Sequence, residues 1–380
     1  MINQCDEKLN VQGTEGGPSM HVPTHSEHAM EFLDDSLYPE NQQPLVIQVA
    51  PYGPQYQPSC SSDIPVSMKD QVQKAVDCWN AGATVLHVHV REEDGKGSKR
   101  FSKFNEMLQR LRDAVPDMVL QVGGSISFAP EDEGSAAKWL DHDTRHMLAD
   151  LRPAPDQVTI AINSSQMNIT EMLTADDIAG TLLERPEYYK AYTNMVVDAT
   201  PQFFVEHLKR LSAAKIQPHF MLGHVHQLET VERLVRKGLY TGPLVLNYVA
   251  IGGGAAGFHP HDLIEFVRRT PPGSVLTIES AMRAVAPMNA IAIALGLHVR
   301  VGIEDNLWGR KGERMTSVQQ IEQAVRQARE LGREVATGKQ AREIYKIGEW
   351  YGSADETVAQ LGLAPNRKPG QIGFTVPGLA

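Results

Sequence analysis

The feature that most constrains this 380-residue chain is an alternation. From residue 45 onward, short apolar or β-branched runs take turns with amphipathic stretches of helical period. The runs are Leu45–Pro51, Thr84–Val90, Met118–Gly124, Gln157–Ile162, Gln217–Gly223, Leu244–Ala250, Ser274–Ser280 and His298–Asp305. Helical patterns lie between them, at Ser67–Ala81, Lys103–Val115, Pro201–Ala214, Leu228–Lys237, Pro260–Arg269 and Ala281–Leu295. Near-continuous apolar runs belong to strands covered on both faces. Gly82, Gly238 and Gly296 each stand where a helix stops just before a strand, the place for a left-handed cap. Eight such alternations predict a (β/α)8 TIM barrel over residues 44–335. An open doubly wound sheet is the alternative, but no GxGxxG follows the first strand; the glycine run 252–257 follows the sixth.

The flanks lack this pattern. Residues 1–43 show neither helical nor strand period and read as an N-terminal arm, so His21, His25 and His28 within it read as loop residues rather than ligands. Residues 336–380 contain Pro365, Pro369 and Pro377 and read as a C-terminal extension too short for a core of its own.

The formal charge of −10 leaves no basic stripe for nucleic acid. Three cysteines, Cys5, Cys60 and Cys78, without CxxC spacing suit a reducing compartment. No window approaches a membrane span, and the first residues lack the apolar core of a leader. The expectation is a cytoplasmic protein acting on small molecules.

The strongest chemical signal is Val85-Leu86-His87-Val88-His89-Val90-Arg91. Histidines two apart on a strand share a face, and late in a barrel strand that face is the functional end. The pair offers two ligands to zinc or a similar ion; buried hydrogen-bonded histidines are the alternative. The second signal is Arg300-Val301-Gly302-Ile303-Glu304-Asp305-Asn306. Arg300 and Glu304 share strand parity, and the last strand of a closed barrel abuts the first. Glu304 can thus approach His87 and His89 across Gln48, completing a His2Glu set. A structural Arg–Glu pair is the alternative. Asp305 then stands at the mouth as a candidate base.

Weaker signals are His224 and His226 after strand five, Glu279 at the end of strand seven, and Arg283 at a helix start, suited to a carboxylate or phosphate. The glycines at 252–257 suit either a ligand's approach to the backbone or simple loop freedom.

These motifs together resemble the β-keto acid cleavage enzymes, typified by 3-keto-5-aminohexanoate cleavage enzyme. His87-Val88-His89-Val90-Arg91-Glu92-Glu93-Asp94-Gly95 and Arg300–Asn306 carry the resemblance, with Ala81-Gly82-Ala83 and the Arg-Glu-Ile ending at Ile344. It spans about residues 44–345. It implies a metal-bearing barrel, usually a homotetramer, that takes a β-keto acid and acetyl-CoA to acetoacetate and a new acyl-CoA. By resemblance His87, His89 and Glu304 hold a divalent cation, most simply Zn²⁺. Asp305 is the general base, deprotonating the methyl of acetyl-CoA. Arg300 serves the later carbon–carbon cleavage, and Thr159 contacts substrate.

The chain departs from the family at two positions. The family's acid after strand one aligns near Gln55, and its serine after strand three aligns with Gly123, followed by Gly124 and Ser125. Gln55, Gly123, Gly124, Ser125 and Arg283 are therefore expected beside the substrate with Thr159. Strand five carries His219, Met221 and Gly223 where the aminohexanoate-type enzyme has carboxylates, which argues against a cationic substrate; His224 and His226 suit a polar or anionic tail. Two other readings compete: a zinc-dependent lyase or hydrolase acting without CoA, and a non-catalytic metal- or ligand-binding barrel.

Overall fold

The computed structural model describes residues 35–53, 56, 58–127, 135, 137–171, 173–310 and 313–377. Gln55 and most of the N-terminal arm, with His21, His25 and His28, lie outside the described residues. Among the described residues ten strands form in chain order: β1 (Ile47–Val49), β2 (Val85–Val88), β3 (Val119–Val122), β4 (Gln157–Ala161), β5 (Ser165–Met167), β6 (Met195–Val197), β7 (Gln217–Leu222), β8 (Val245–Ala250), β9 (Val275–Ser280) and β10 (His298–Val301). All but β5 and β6 close into a parallel barrel in which β10 pairs with β1, opposing Gln48 to Arg300, and β1 pairs with β2. The fold is a TIM barrel.

Local chemistry sets the helix ends. The helix Met68–Ala81 begins where the Ser67 side chain accepts the Asp70 N–H and ends at Gly82, whose φ is 115°. Gly238 and Gly296 likewise adopt φ of 71° and 77°.

Outward-facing residues such as Leu86, Val122, Phe220 and Ile278 join the main apolar core with the helices. A second cluster closes the bottom of the barrel: Val46, Val85, Val119, Val245 and Val275 meet Ala336, Ala341 and Tyr345. The C-terminal segment therefore begins by plugging the barrel floor, with the helix Gly338–Ile344. Asp156 fixes it there, accepting from Arg342 at 2.8 Å, Arg112 at 2.8 Å and the Leu120 N–H at 2.8 Å.

Three features differ from the sequence expectation. The last strand stops at Val301 rather than Asp305. Gly302 turns the chain at φ 125°, where a Cβ would collide with the Ala50 backbone, and its N–H donates to Gln320 at 3.0 Å. Glu304 and Asp305 thus ride a tight turn, not a continuing strand, and the turn rather than strand parity aims them.

The second is an antiparallel ribbon, β5 with β6, inserted after β4; Met167 stands opposite Met195. The third concerns the glycines after β8. The Asn168 N–H donates to the Gly253 carbonyl at 2.6 Å, and a Cβ at Gly253, φ 62°, would strike Asn168 backbone. Gly253 and Gly254 let the ribbon and the residues after it pack closely here, a role that neither reading of the run included. No helix among the described residues is long and apolar enough to cross a membrane.

Candidate active site

The barrel interior carries a row of buried glutamines, on β1, β3, β4 and β7, that reaches across β2 at one step. Gln48 Nε2 donates to Gln121 Oε1 at 3.0 Å, Gln121 Nε2 to Gln157 Oε1 at 2.9 Å, and Gln157 Nε2 to Gln217 Oε1 at 2.6 Å. Gln217 Nε2 ends the row on the Tyr345 and Lys346 carbonyls, at 2.8 and 3.2 Å. Carbonyls only accept, so the far end fixes the direction of every amide in the row. Gln121 must turn its oxygen toward β2, where it meets His87 Nδ1 at 2.7 Å.

That contact sets the His87 tautomer: Nδ1 carries the hydrogen and Nε2 a lone pair. His89 is held the same way, its Nδ1 lying 3.0 Å from the Ile126 carbonyl. Ile126 has a φ of 61°, a strained value for a β-branched residue. Burial first, and then Arg300, push the His87 pKa well below its ordinary value, so the ring is neutral. Both Nε2 lone pairs face Glu304 Oε1, at 3.7 Å from His87 and 3.6 Å from His89, and stand 3.2 Å apart.

Three acceptor atoms thus converge with no hydrogen among them. Their separations are near the ~3.3–3.4 Å between ligand atoms of a tetrahedral ion with bonds of about 2.0–2.1 Å. Glu304 Oε2 is buried without a hydrogen-bond partner. The donor set therefore fits a divalent cation, and His87, His89 and Glu304 are side chains that could hold one.

Arg300 is the hub beside them. Its Nε donates to Asp305 at 2.8 Å, and its Nη2 to Asp305 at 3.0 Å and Glu304 at 3.1 Å; Nη1 lies 3.4 Å from Glu279. Glu279 also accepts from Asn247. Three buried carboxyl groups share this one guanidinium. Burial above all pushes the Asp305 carboxyl up to about 8; Arg300 opposes this while Glu279 and Glu304 add to it. On Glu304 burial acts in the same upward direction, yet the carboxyl is held below the usual range, with the Arg300 guanidinium the charged neighbour that favours its ionised form. Two adjacent carboxylates are thereby driven apart, the pattern of a ligand beside a base. Glu279 was noted in the sequence only as a strand-end acid; nothing in its spacing ties it to Arg300.

Neighbouring backbone shapes the cluster. A Cβ on Gly53 would overlap Glu304, and Arg91 clamps that loop by donating to the carbonyls of Tyr52, Gly53 and Tyr56. A Cβ on Gly123 would fall on the His89 ring, so glycine there makes room for the imidazole. The Gly124 N–H donates to Thr159 Oγ1 at 2.6 Å, leaving the threonine hydroxyl hydrogen free for the cavity. Gly123, Gly124, Ser125 and Thr159 all line that cavity with the histidines. Arg283 stands apart: it pairs with Asp177 at 3.1 Å and Thr174 at 3.0 Å, not with the cluster. His224 lines the cavity and meets the Gly254 carbonyl at 2.6 Å; His226 is not among the lining residues.

The cavity, with the solvent space at the barrel mouth counted in, spans some 940 Å³. A second lobe of about 700 Å³, walled by Tyr56, Leu173, Tyr192, Phe258 and Met282, meets it at Glu279 and Asp305.

The sequence model of a family described as beta-keto acid cleavage enzyme matches residues 44–347. The 3-keto-5-aminohexanoate cleavage enzyme of Acetoanaerobium sticklandii is 26% identical over 308 residues, 80% of this chain and 99% of that protein. The 3-dehydrocarnitine:acetyl-CoA trimethylamine transferase of Rhizobium meliloti is 27% identical over 298 residues, 76% and 92% of the two. Among solved structures, the binary complex of ObcA with oxaloacetate is similar with a TM-score of 0.56 and 13% identity, covering 75% of this chain and 68% of that one. That likeness supports the fold alone.

Proposed function

The chain belongs to the β-keto acid cleavage enzymes, and from that membership we propose that it takes a β-keto acid and acetyl-CoA to acetoacetate and a new acyl-CoA, with metal assistance. It is an acyl-transferring enzyme of the retro-Claisen type. One observation carries the metal-assisted reading: the convergence of His87 Nε2, His89 Nε2 and Glu304 Oε1 directly beside the Arg300–Asp305 pair. Neither a CoA-independent lyase nor a non-catalytic barrel is favoured by the relatives.

In this reading His87, His89 and Glu304 hold a divalent cation, which we take to be zinc. Such a cation, when bound, supplies Lewis-acid polarisation of a ketone. The balance of atoms then decides what Asp305 does. Acetoacetate keeps the acetyl methyl intact, so the carbon to be ionised is C2 of the keto acid, between ketone and carboxylate. Attack through the acetyl methyl, as the resemblance implied, would release acetate instead.

Asp305 removes a C2 proton, and the carbanion takes the acetyl group from acetyl-CoA, freeing the CoA thiolate. The thiolate adds to the keto acid's ketone carbon. The C2–C3 bond breaks, leaving its electrons on C2, and Asp305 returns the proton. Acetoacetate and acyl-CoA result, and Asp305 ends as it began. Arg300 holds Asp305 in place and balances the negative charge that passes through the site. The Thr159 hydroxyl is placed to donate to a substrate oxygen. Two lobes meeting at Asp305 suit two substrates arriving at one base.

The low cysteine content and resemblance support a cytoplasmic location and a homotetramer as part of the same proposal. The test is direct: zinc-loaded full-length protein, given a β-keto acid and acetyl-CoA, should form acyl-CoA and acetoacetate in equal amounts. Release of product without acetyl-CoA would contradict it.

A further inference from the structure

Part of the lobe that holds the histidines is apolar. Away from the His87–Glu304–Arg300 cluster, Met167, Ile169, Met195, Val197, Met221 and Ile251 form one continuous side of its wall, with the uncharged polar side chains of Asn163, Ser165 and Gln227 also lining the lobe. The ribbon supplies half of those six side chains for a geometric reason. Strand residues alternate between faces: Met195 and Val197 are buried toward the cavity, whereas Val196 between them is 45% exposed. Met167 pairs across the ribbon with Met195 and is buried on the same side. Three methionines from three strands give a surface that adapts to flexible hydrocarbon.

Among the described residues that side of the wall carries no charge. Beyond the cluster, the one titratable side chain among the described residues lining the lobe is His224, and it is engaged with the Gly254 carbonyl. A tail bearing an ammonium or carboxylate would be buried against this side without a charged partner among the described residues, which is costly. A hydrocarbon tail would replace water against six apolar side chains.

We propose that the keto acid's tail is an uncharged hydrocarbon chain, seated against the ribbon, with Met167, Met195 and Met221 as the specificity-determining residues. This rests on the β-keto acid cleavage reading above. Affinity for the tail rises with each methylene that reaches the wall, by about fourfold per group.

The test uses the zinc-loaded full chain with acetyl-CoA and a panel: 3-oxohexanoate, 3-oxooctanoate, 3-oxoadipate and 5-amino-3-oxohexanoate. The expected kcat/KM is at least tenfold higher for the hydrocarbon tails than for either charged tail. Calorimetric titration of the same acids without acetyl-CoA should give the same order of Kd. Met195→Lys should move the preference toward 3-oxoadipate by at least tenfold; should that variant not fold, the panel on the unaltered protein decides alone. Turnover that is fastest with a charged tail would overturn the inference and leave the reaction standing. No acyl-CoA from any tail would overturn the reaction, and this inference with it.

Discussion

Gln121 Oε1 lies 2.7 Å from His87 Nδ1, and through that contact the barrel floor dictates which nitrogen of His87 faces Glu304. The orientation begins at the carbonyls of Tyr345 and Lys346, passes through Gln217 and Gln157, and reaches the histidine at Gln121. Removing an outer partner of a ligating histidine typically costs tenfold to a hundredfold in metal affinity. Gln121→Leu should therefore weaken zinc binding by about that factor, read by competition with a chromogenic chelator. Unchanged affinity in a folded variant would show that the row does not orient His87.

His87→Ala and His89→Ala should each lose bound metal and turnover together, measured as zinc per chain and as acyl-CoA formed. Asp305→Asn should keep its metal and lose about 10²–10⁴-fold in kcat, as loss of a general base does. Full zinc in both histidine variants would remove them from the ligand set.

The pH profile follows from Asp305. Burial, opposed by Arg300 and aided by Glu279 and Glu304, pushes its carboxyl up to about 8. A base works when deprotonated, so activity is present above its pKa and lost as pH falls through it. The acid limb of kcat/KM should lie well above the ordinary carboxylate range. A limb near pH 4 would place the base elsewhere.

The eight barrel strands and their order were legible because period and glycine caps are local properties. His87, His89, Arg300, Glu304 and Asp305 were legible because barrel closure brings the last strand to the first. Arg283 was not: a helix-start arginine looks free in sequence, and only the folded insert shows Asp177 4% exposed beneath it. The ribbon was missed because Ser165–Met167 and Met195–Val197 are three residues each, too short for an alternation to register. The glutamine row was invisible for another reason: Gln48, Gln121, Gln157 and Gln217 are far apart in sequence and become a row only when the inward faces of the closed barrel align.

Asp156 gives a prediction about stability. Burial alone would raise its carboxyl, but Arg342, Arg112 and the Leu120 N–H outweigh it and hold the pKa below the ordinary value. A depressed pKa contributes stability above the unfolded value, lost as pH falls through the folded one. Asp156→Asn should cost about 3 kcal/mol near neutral pH, as breaking a buried ion pair does. In urea unfolding the deficit should begin to shrink below about pH 4, where the unfolded chain's carboxyl takes up its proton, and should close as pH falls through the lower folded value.

The most direct measurement follows the acetyl methyl. Zinc-loaded protein is given a β-keto acid and acetyl-CoA carrying three deuterium atoms on that methyl, and the products are read by mass spectrometry. Ionisation at C2 by Asp305 predicts acetoacetate that retains all three deuterium atoms, formed in step with unlabelled acyl-CoA. Acetoacetate without the label, or an acyl-CoA that carries it, would contradict the account.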